Sequence, residues 1–242
     1  DFTDQSIWRN IFHTGNTDNI FQWNTDVGKT ALRKLKPNTL KELSAGNSLI
    51  RLMNDDGEEL LIDKYIRYKE NPEQAIQDMR TYGLNIKEIE IISETLKEKY
   101  YLCITQEDIM RLSAEVADFN IVQQNQLRKC IAKKQAKEEL DKLTKLYKEQ
   151  ALQKGHRELF IDYTWHLILA LRGYGFSDIH SDEYSVEGWK SAIMKHYHEK
   201  EWQVAYLNVD AGAIENALDS STKSTEYGKI GFHYVFSTRT RG

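Results

Sequence analysis

The sequence predicts an α+β fold, predominantly helical, with a long basic helix, a β-hairpin in its N-terminal half and short strands near its C-terminus. Three observations predict it. Thr105 to Lys154 runs fifty residues without Gly or Pro, and its apolar positions Ile109, Leu112, Val116 and Phe119 recur by three and four, as one helix face requires. Asp56-Gly57 separates two apolar stretches, near 48–53 and 58–63, as in a tight hairpin where Gly supplies the positive φ. Trp202 to Val209 and Lys229 to Thr238 read as strands, the second alternating around IGFHYVFS.

The remaining elements follow in order. Residues 1 to about 36 carry the anchors Trp8, Phe12, Phe21 and Trp23 around the turn-forming run HTGNTDN. A short capped helix begins after Asn38 and ends at Gly46. The spacing predicts helices from Pro72, which is tolerated in a first turn, to before Gly83, and over Ile86 to Leu96. Tyr100 to Ile104 reads as a short strand. Thr105, followed by Glu107 and Asp108, opens the long helix with acidic groups at the positive end of its dipole; its apolar stripe weakens at Gln123 and Gln126 and returns at Leu140, Leu143 and Tyr147, so one helix or two consecutive ones are expected. Leu159, Phe160, Tyr163, Leu167 and Leu171 mark a buried helix stopped by Gly173 and Gly175. Ser185 to about Glu199 forms another, with Trp189 and Ile193 inward. Three regions result: 1–104 with the hairpin, 105–154 as the helical arm, and 155–242 as a C-terminal α+β part.

Composition bounds the function. Hydrophobic residues are 40% and aromatics 11% of the chain, too many for a disordered segment. A net charge of −4 excludes a uniformly basic coat for nucleic acid. Cys103 and Cys130 lack CxxC spacing, which suits a reducing, cytoplasmic compartment. The most apolar run, Leu159 to Leu171, holds Asp162 and His166 and is too short to span a membrane, and DFTDQSIWRN is not a signal peptide. Richness in Asn, Lys, Glu and Tyr with only two prolines suits a bacterial mobile-element or phage protein.

Charge is unevenly placed. Arg128 to Arg157 holds ten Lys or Arg against four Asp or Glu, a local excess of six cations that leaves the rest of the chain at −10. Lys129, Lys133 and Lys137 recur every four residues and would share a helix face. With Arg128 and Lys134 they are the candidate nucleic-acid contacts, since such a face can lie along phosphates; a charged face is also what any solvated helix presents. The expected function is a non-catalytic interaction protein that binds nucleic acid or an acidic partner through this 128–157 segment, with no cofactor.

Two alternatives stand beside it. Six of the seven histidines follow residue 150. His196 and His198, with Asp182 and Glu201, would hold a divalent metal in a nuclease or phosphodiesterase if the pair lay on a strand; on a helix, residues two apart diverge by about 200° and cannot grip one ion. The other alternative is an oligomer-forming structural subunit with the long helix as its interface. Val27-Gly28-Lys29-Thr30 ends like a phosphate loop, but Trp23 occupies the place of its first glycine, which excludes that motif.

Overall fold

The computed structural model describes residues 2–52, 59–132, 137–173 and 175–219, with side chains up to residue 209. Its helices are α1 (Gln5–Ile7, running into a π-helical turn Trp8–Phe12), α2 (Asp26–Leu35), α3 (Leu40–Leu49), α4 (Leu61–Glu70), α5 (Pro72–Tyr82), α6 (Ile86–Leu96), α7 (Gln106–Ala117), α8 (Ile121–Ala132), α9 (Lys137–Gln153), α10 (Glu158–Leu169), α11 (Asp178–Tyr197) and α12 (Glu199–Asp219). No strand occurs among the described residues. Their one β-type contact is an isolated parallel bridge between Thr105 and Phe176.

The α+β expectation is therefore corrected to an all-helical fold over the described residues. Ser48 and Leu49, expected in the first hairpin strand, complete α3, and Leu61 to Asp63, expected in the second, open α4. Packing decides α3. Its small polar face meets α11: Asn47 donates to the Ser181 carbonyl and to Ser185 Oγ, each at 3.1 Å, Ser44 donates to Asp182 at 2.6 Å, and Ser48 pairs with Ser181 at 3.2 Å. Long-range contact of this kind overrides a local strand preference at Ser48 and Leu49. The Asp56-Gly57 turn itself and the expected strand at 229–238 lie outside the described residues. Trp202 to Val209 belongs to α12, where Glu199 and Glu201 face the positive helix end. Tyr100 and Tyr101 adopt the left-handed conformation and form a turn in place of a strand.

The expected long helix is broken between α7 and α8. Asp118, at φ 50°, ends α7. Asn120 then starts α8 reciprocally: its side chain accepts the Val122 and Gln123 amides at 3.0 Å, while Gln123 accepts the Asn120 amide at 2.8 Å. Lys129 lies on α8 and Lys137 is the first residue of α9.

The helices at Pro72–Tyr82 and Ile86–Leu96 form where the sequence places them, the second opened by an Asn85–Glu88 capping box. On α10 the buried face is Phe160, Ile161, Thr164, Trp165 and Ile168. Of the predicted stripe, Phe160 and Leu171 are buried, Tyr163 and Leu167 are partly buried and Leu159 is exposed, so the predicted face is rotated part of the way from the true one. Trp189 packs elsewhere, in an N-terminal aromatic core with Trp8 (ring centroids 4.4 Å apart), Phe12 and Trp23. A second, larger core gathers residues of α2 through α10.

Candidate nucleic-acid interface

A cleft of about 410 Å³ opens where three parts of the chain converge: Arg51 just past α3, Ala132 at the end of α8, and Gly173, Gly175 and Phe176 in the link from α10 to α11. The link is held from both sides. Gly173, at φ 89°, donates its amide to the Ile131 carbonyl at 2.8 Å, which ties it to the last turn of α8. Gln106, the first residue of α7, donates its amide to the Phe176 carbonyl at 2.9 Å and its side-chain amide to the Gly175 carbonyl. A Cβ on Gly175 would stand 3.0 Å from Gln106 Cγ, a contact tight enough that the Gln106 side chain would have to shift by a few tenths of an ångström.

Beneath the link lies a charged lock. Lys99 Nζ reaches Thr105 Oγ1 at 2.7 Å, Asp108 Oδ1 at 2.8 Å and Asp178 Oδ1 at 2.6 Å. Arg111 reaches the same two carboxylates, at 2.6 Å and 3.6 Å. The other oxygen of Asp108 accepts the Ile104 and Thr105 amides, both at 2.9 Å, and so caps α7. Burial raises the Asp178 carboxyl above the usual carboxylate range, against the pull of Lys99. Burial likewise pushes the Cys103 thiol far up, leaving it a packed, unreactive side chain.

Cations rim the cleft. The Arg51 guanidinium lies 4.1 Å from the centre of the Phe176 ring. Arg128 donates to Gln106 Oε1 at 2.5 Å, within the set of groups that holds the link. Lys129 is exposed one turn before Ala132, and Arg172 is exposed just before Gly173. Of the sequence-predicted contacts, Arg128 thus joins the groups that hold the link, Lys129 is exposed on the last part of α8, Lys137 is exposed at the start of α9, and Lys133 and Lys134 lie outside the described residues. Farther along, the basic segment is spent internally: Lys148 pairs with Asp162 at 2.7 Å, Lys154 with Asp118 at 2.8 Å and Arg157 with Glu88 at 2.5 Å. Arg51 and the glycine link were not singled out as site residues, because Arg51 sat in an expected strand and the glycines read only as a helix stop.

The histidine pair does not converge. His196 lies in the last turn of α11 and His198 caps it. Asp182, the acceptor of Ser44, lies fourteen residues before His196, about 21 Å along the axis at the usual helical rise. Glu201 is exposed on α12. Among the described residues no group of three or more His, Cys, Asp or Glu is placed to hold a metal ion, and no helix is long and apolar enough to cross a membrane.

Residues 1–155 match the family model described as the bacterial DNA polymerase III alpha subunit finger domain. The chain belongs to this family. It is 33% identical over 237 residues, 95% of its length, to a probable DNA polymerase, YorL, of Bacillus subtilis (strain 168), and equally to a DNA-directed DNA polymerase of Bacillus phage SPbeta. It is 26% identical over 208 residues, 86% of its length, to a DNA polymerase III subunit alpha of Xylella fastidiosa (strain 9a5c). The finger-family chain spans 18% of the length of the first two and 16% of the third. This kinship overturns the expectation of a non-catalytic interaction protein, since the relatives are polymerases, and it displaces the nuclease and structural-subunit alternatives with it. The phage relative agrees with the mobile-element style of the composition. The finger-family match reaches residue 155 and so includes Arg51, Gln106, Arg128 and Ala132; the glycine link falls within the longer alignments.

Proposed function

We propose that this chain serves as the finger part of a DNA polymerase and that its cleft holds phosphates of DNA or of the nucleotide to be added. One observation carries the reading. Arg51 and Arg128, with the exposed Lys129 and Arg172 next to the lining residues in sequence, reach the cleft and its link from three places in the chain. Guanidinium groups suit phosphate because they offer paired donors at fixed geometry. The contacts would position a phosphate chain and read no base. Bond making would fall to polymerase parts beyond this chain; its own residues bind and orient. Lys133 and Lys134 follow Ala132 directly and are proposed as further phosphate contacts.

The test is a titration of the 242-residue chain with single-stranded DNA and with a deoxynucleoside triphosphate at several salt concentrations. Binding should weaken steeply with salt, with a log–log slope of about 0.7 for each phosphate contacted on a single strand. Arg51→Ala and Lys129→Ala should each weaken binding and flatten the slope for the ligand that uses the cleft, which tells the two phosphate sources apart. Salt-insensitive binding, or variants that match the wild type for both ligands, would refute the assignment.

A further inference from the structure

Next to the phosphate cleft the surface carries a run of rings that neither core requires. Phe21, in the turn before α2, is 57% exposed. Its ring meets Tyr184 of α11 edge-on, with centroids 5.1 Å apart. Tyr184 stands 5.9 Å from Phe176, and Phe176 carries the Arg51 guanidinium at 4.1 Å. His180, one turn before Tyr184 on the same helix face, lies nearly parallel to the Tyr184 ring at 6.4 Å, and it is exposed. The core below is already closed: Trp23 and Trp189 are 0% and 1% exposed. The strip is therefore a second aromatic layer on the outside of the fold, ending in a cation at the cleft.

We infer that Phe21, Tyr184, His180 and Phe176 form a stacking platform for unpaired bases of single-stranded DNA, joined to the phosphate cleft by Arg51. The inference rests on the phosphate-binding reading of the cleft and adds the partner's chemistry. Every base has a π-face, so exposed rings beside a cationic groove bind single strands with little regard to sequence. Charge assigns which part of the strand lies where. The neighbouring positions on α11, Asp182 and Glu183, are acidic and exposed, and Glu183 stands 3.6 Å from His180. Backbone phosphates are repelled there and drawn to the Arg51 end, which leaves the rings to the bases. A duplex, whose bases are stacked on one another, has no free faces to offer.

The test compares an oligo(dT) with an abasic strand of equal length on the 242-residue chain, at fixed salt and then across a salt series. The wild type should prefer the base-bearing strand by roughly 5- to 150-fold for each base seated. Phe21→Ala with Tyr184→Ala should remove most of that preference and leave the salt slope unchanged. Tyr184→Phe should keep it, because stacking needs the ring and not the hydroxyl. Arg51→Ala should flatten the slope for both strands. Equal, salt-sensitive binding of the two strands by the wild type would overturn the platform and leave the phosphate cleft standing. Failure of both strands to bind would overturn both. A preference that survives the double variant would place the stacking rings elsewhere and overturn this assignment.

Discussion

Glu107 accepts the backbone amide of Asp178 at 2.8 Å, and so the first turn of α7 caps the first turn of α11 from across the cleft link. The same carboxylate accepts Ser177 Oγ at 2.9 Å. A helix that begins without a side-chain cap of its own is supplied with an anion by another helix, at the end where its dipole favours one. Glu107→Ala should cost about 0.5–2 kcal/mol, the usual loss for an N-cap. Urea denaturation gives the cost, and amide exchange should accelerate at residues 177–181 before it does in α5 or α6. Unchanged exchange at the start of α11 would show that the cap is idle.

Among the described residues Lys99 is the one ammonium that touches both Asp108 and Asp178, beside the Arg111 guanidinium. Asp108 is fully buried, with a side-chain exposure of 0%. Lys99→Met should destabilise the protein by less than the roughly 3–5 kcal/mol of a fully uncompensated buried charge, because Arg111 and two backbone amides still hold Asp108 while Asp178 loses its nearest cation. Adding Asp178→Asn should restore part of the loss, since one of the two carboxylates facing the gap is then neutral. The two single variants and the double variant form a cycle in chemical denaturation. Strict additivity would mean that the groups do not act as a unit.

Acid should loosen the joint between α6 and the start of α10. The Arg157 guanidinium holds the Glu88 carboxyl below the usual glutamate range, with the Asn85 amide helping. A carboxylate with a depressed folded-state pKa contributes stability that is complete above its unfolded pKa, about 4.3. That contribution is lost as pH falls through the lower, folded value. Stability of the wild type should fall below about pH 4.3 more steeply than that of Glu88→Gln, which is less stable at neutral pH and has no such proton to bind. Thermal melts over pH 3 to 7 would show the two curves converging in acid; parallel curves would contradict the linkage.

Much of the helix pattern was legible, and the site was not. Asn85 with Glu88, and Pro72 before a polar first turn, are local signals whose physics is complete within a few residues, and α5 and α6 follow them. Asn120 with Gln123 is a signal of the same kind that went unread, so the break between α7 and α8 was missed. Asn47 and Ser48, read as loop and strand beyond a helix ending at Gly46, join α3 once α11 supplies partners for their side chains. The cleft depends on such distant meetings throughout. Arg51, Arg128 and Gly175 are separated by long stretches of chain, and no spacing rule relates them. The basic run from 128 to 157 was visible as charge, but charge counts do not show that Lys148, Lys154 and Arg157 are already occupied by Asp162, Asp118 and Glu88.

The corrected face of α10 makes a direct comparison. Ile168 is fully buried, whereas Leu167 is only partly buried. Ile168→Ala should cost about 2–5 kcal/mol from lost burial and the cavity left behind. Leu167→Ala should cost clearly less, since it removes a side chain that already meets water. Equal losses in chemical denaturation would put the face back where the periodicity first placed it.

Two glycines that touch the same tryptophan should respond to alanine with opposite signs. Alanine in place of glycine inside a helix gains about 0.8–1 kcal/mol from backbone entropy. At Gly188, in the middle of α11, the added methyl would lie 3.6 Å from Trp23 Cδ1 and 3.7 Å from Ile20 Cγ2. Those are ordinary contacts, so nothing opposes the gain. At Gly46, in α3, the methyl would stand 2.8 Å from Trp23 Cη2 and 2.9 Å from Leu35 Cδ2. Trp23 and Leu35 are both buried in close-packed surroundings, at 0% and 2% exposure, and neither has solvent to move into. Overpacking of this kind costs typically 1–3 kcal/mol, more than the helical gain can offset. Gly188→Ala should therefore raise the melting temperature and Gly46→Ala should lower it. Because α3 carries Arg51 just past its end, Gly46→Ala should also weaken phosphate binding at the cleft, while Gly188→Ala leaves it intact. A Gly46→Ala protein as stable as the wild type would mean that Trp23 can shift, and that the approach of α3 to the aromatic core is looser than these distances require.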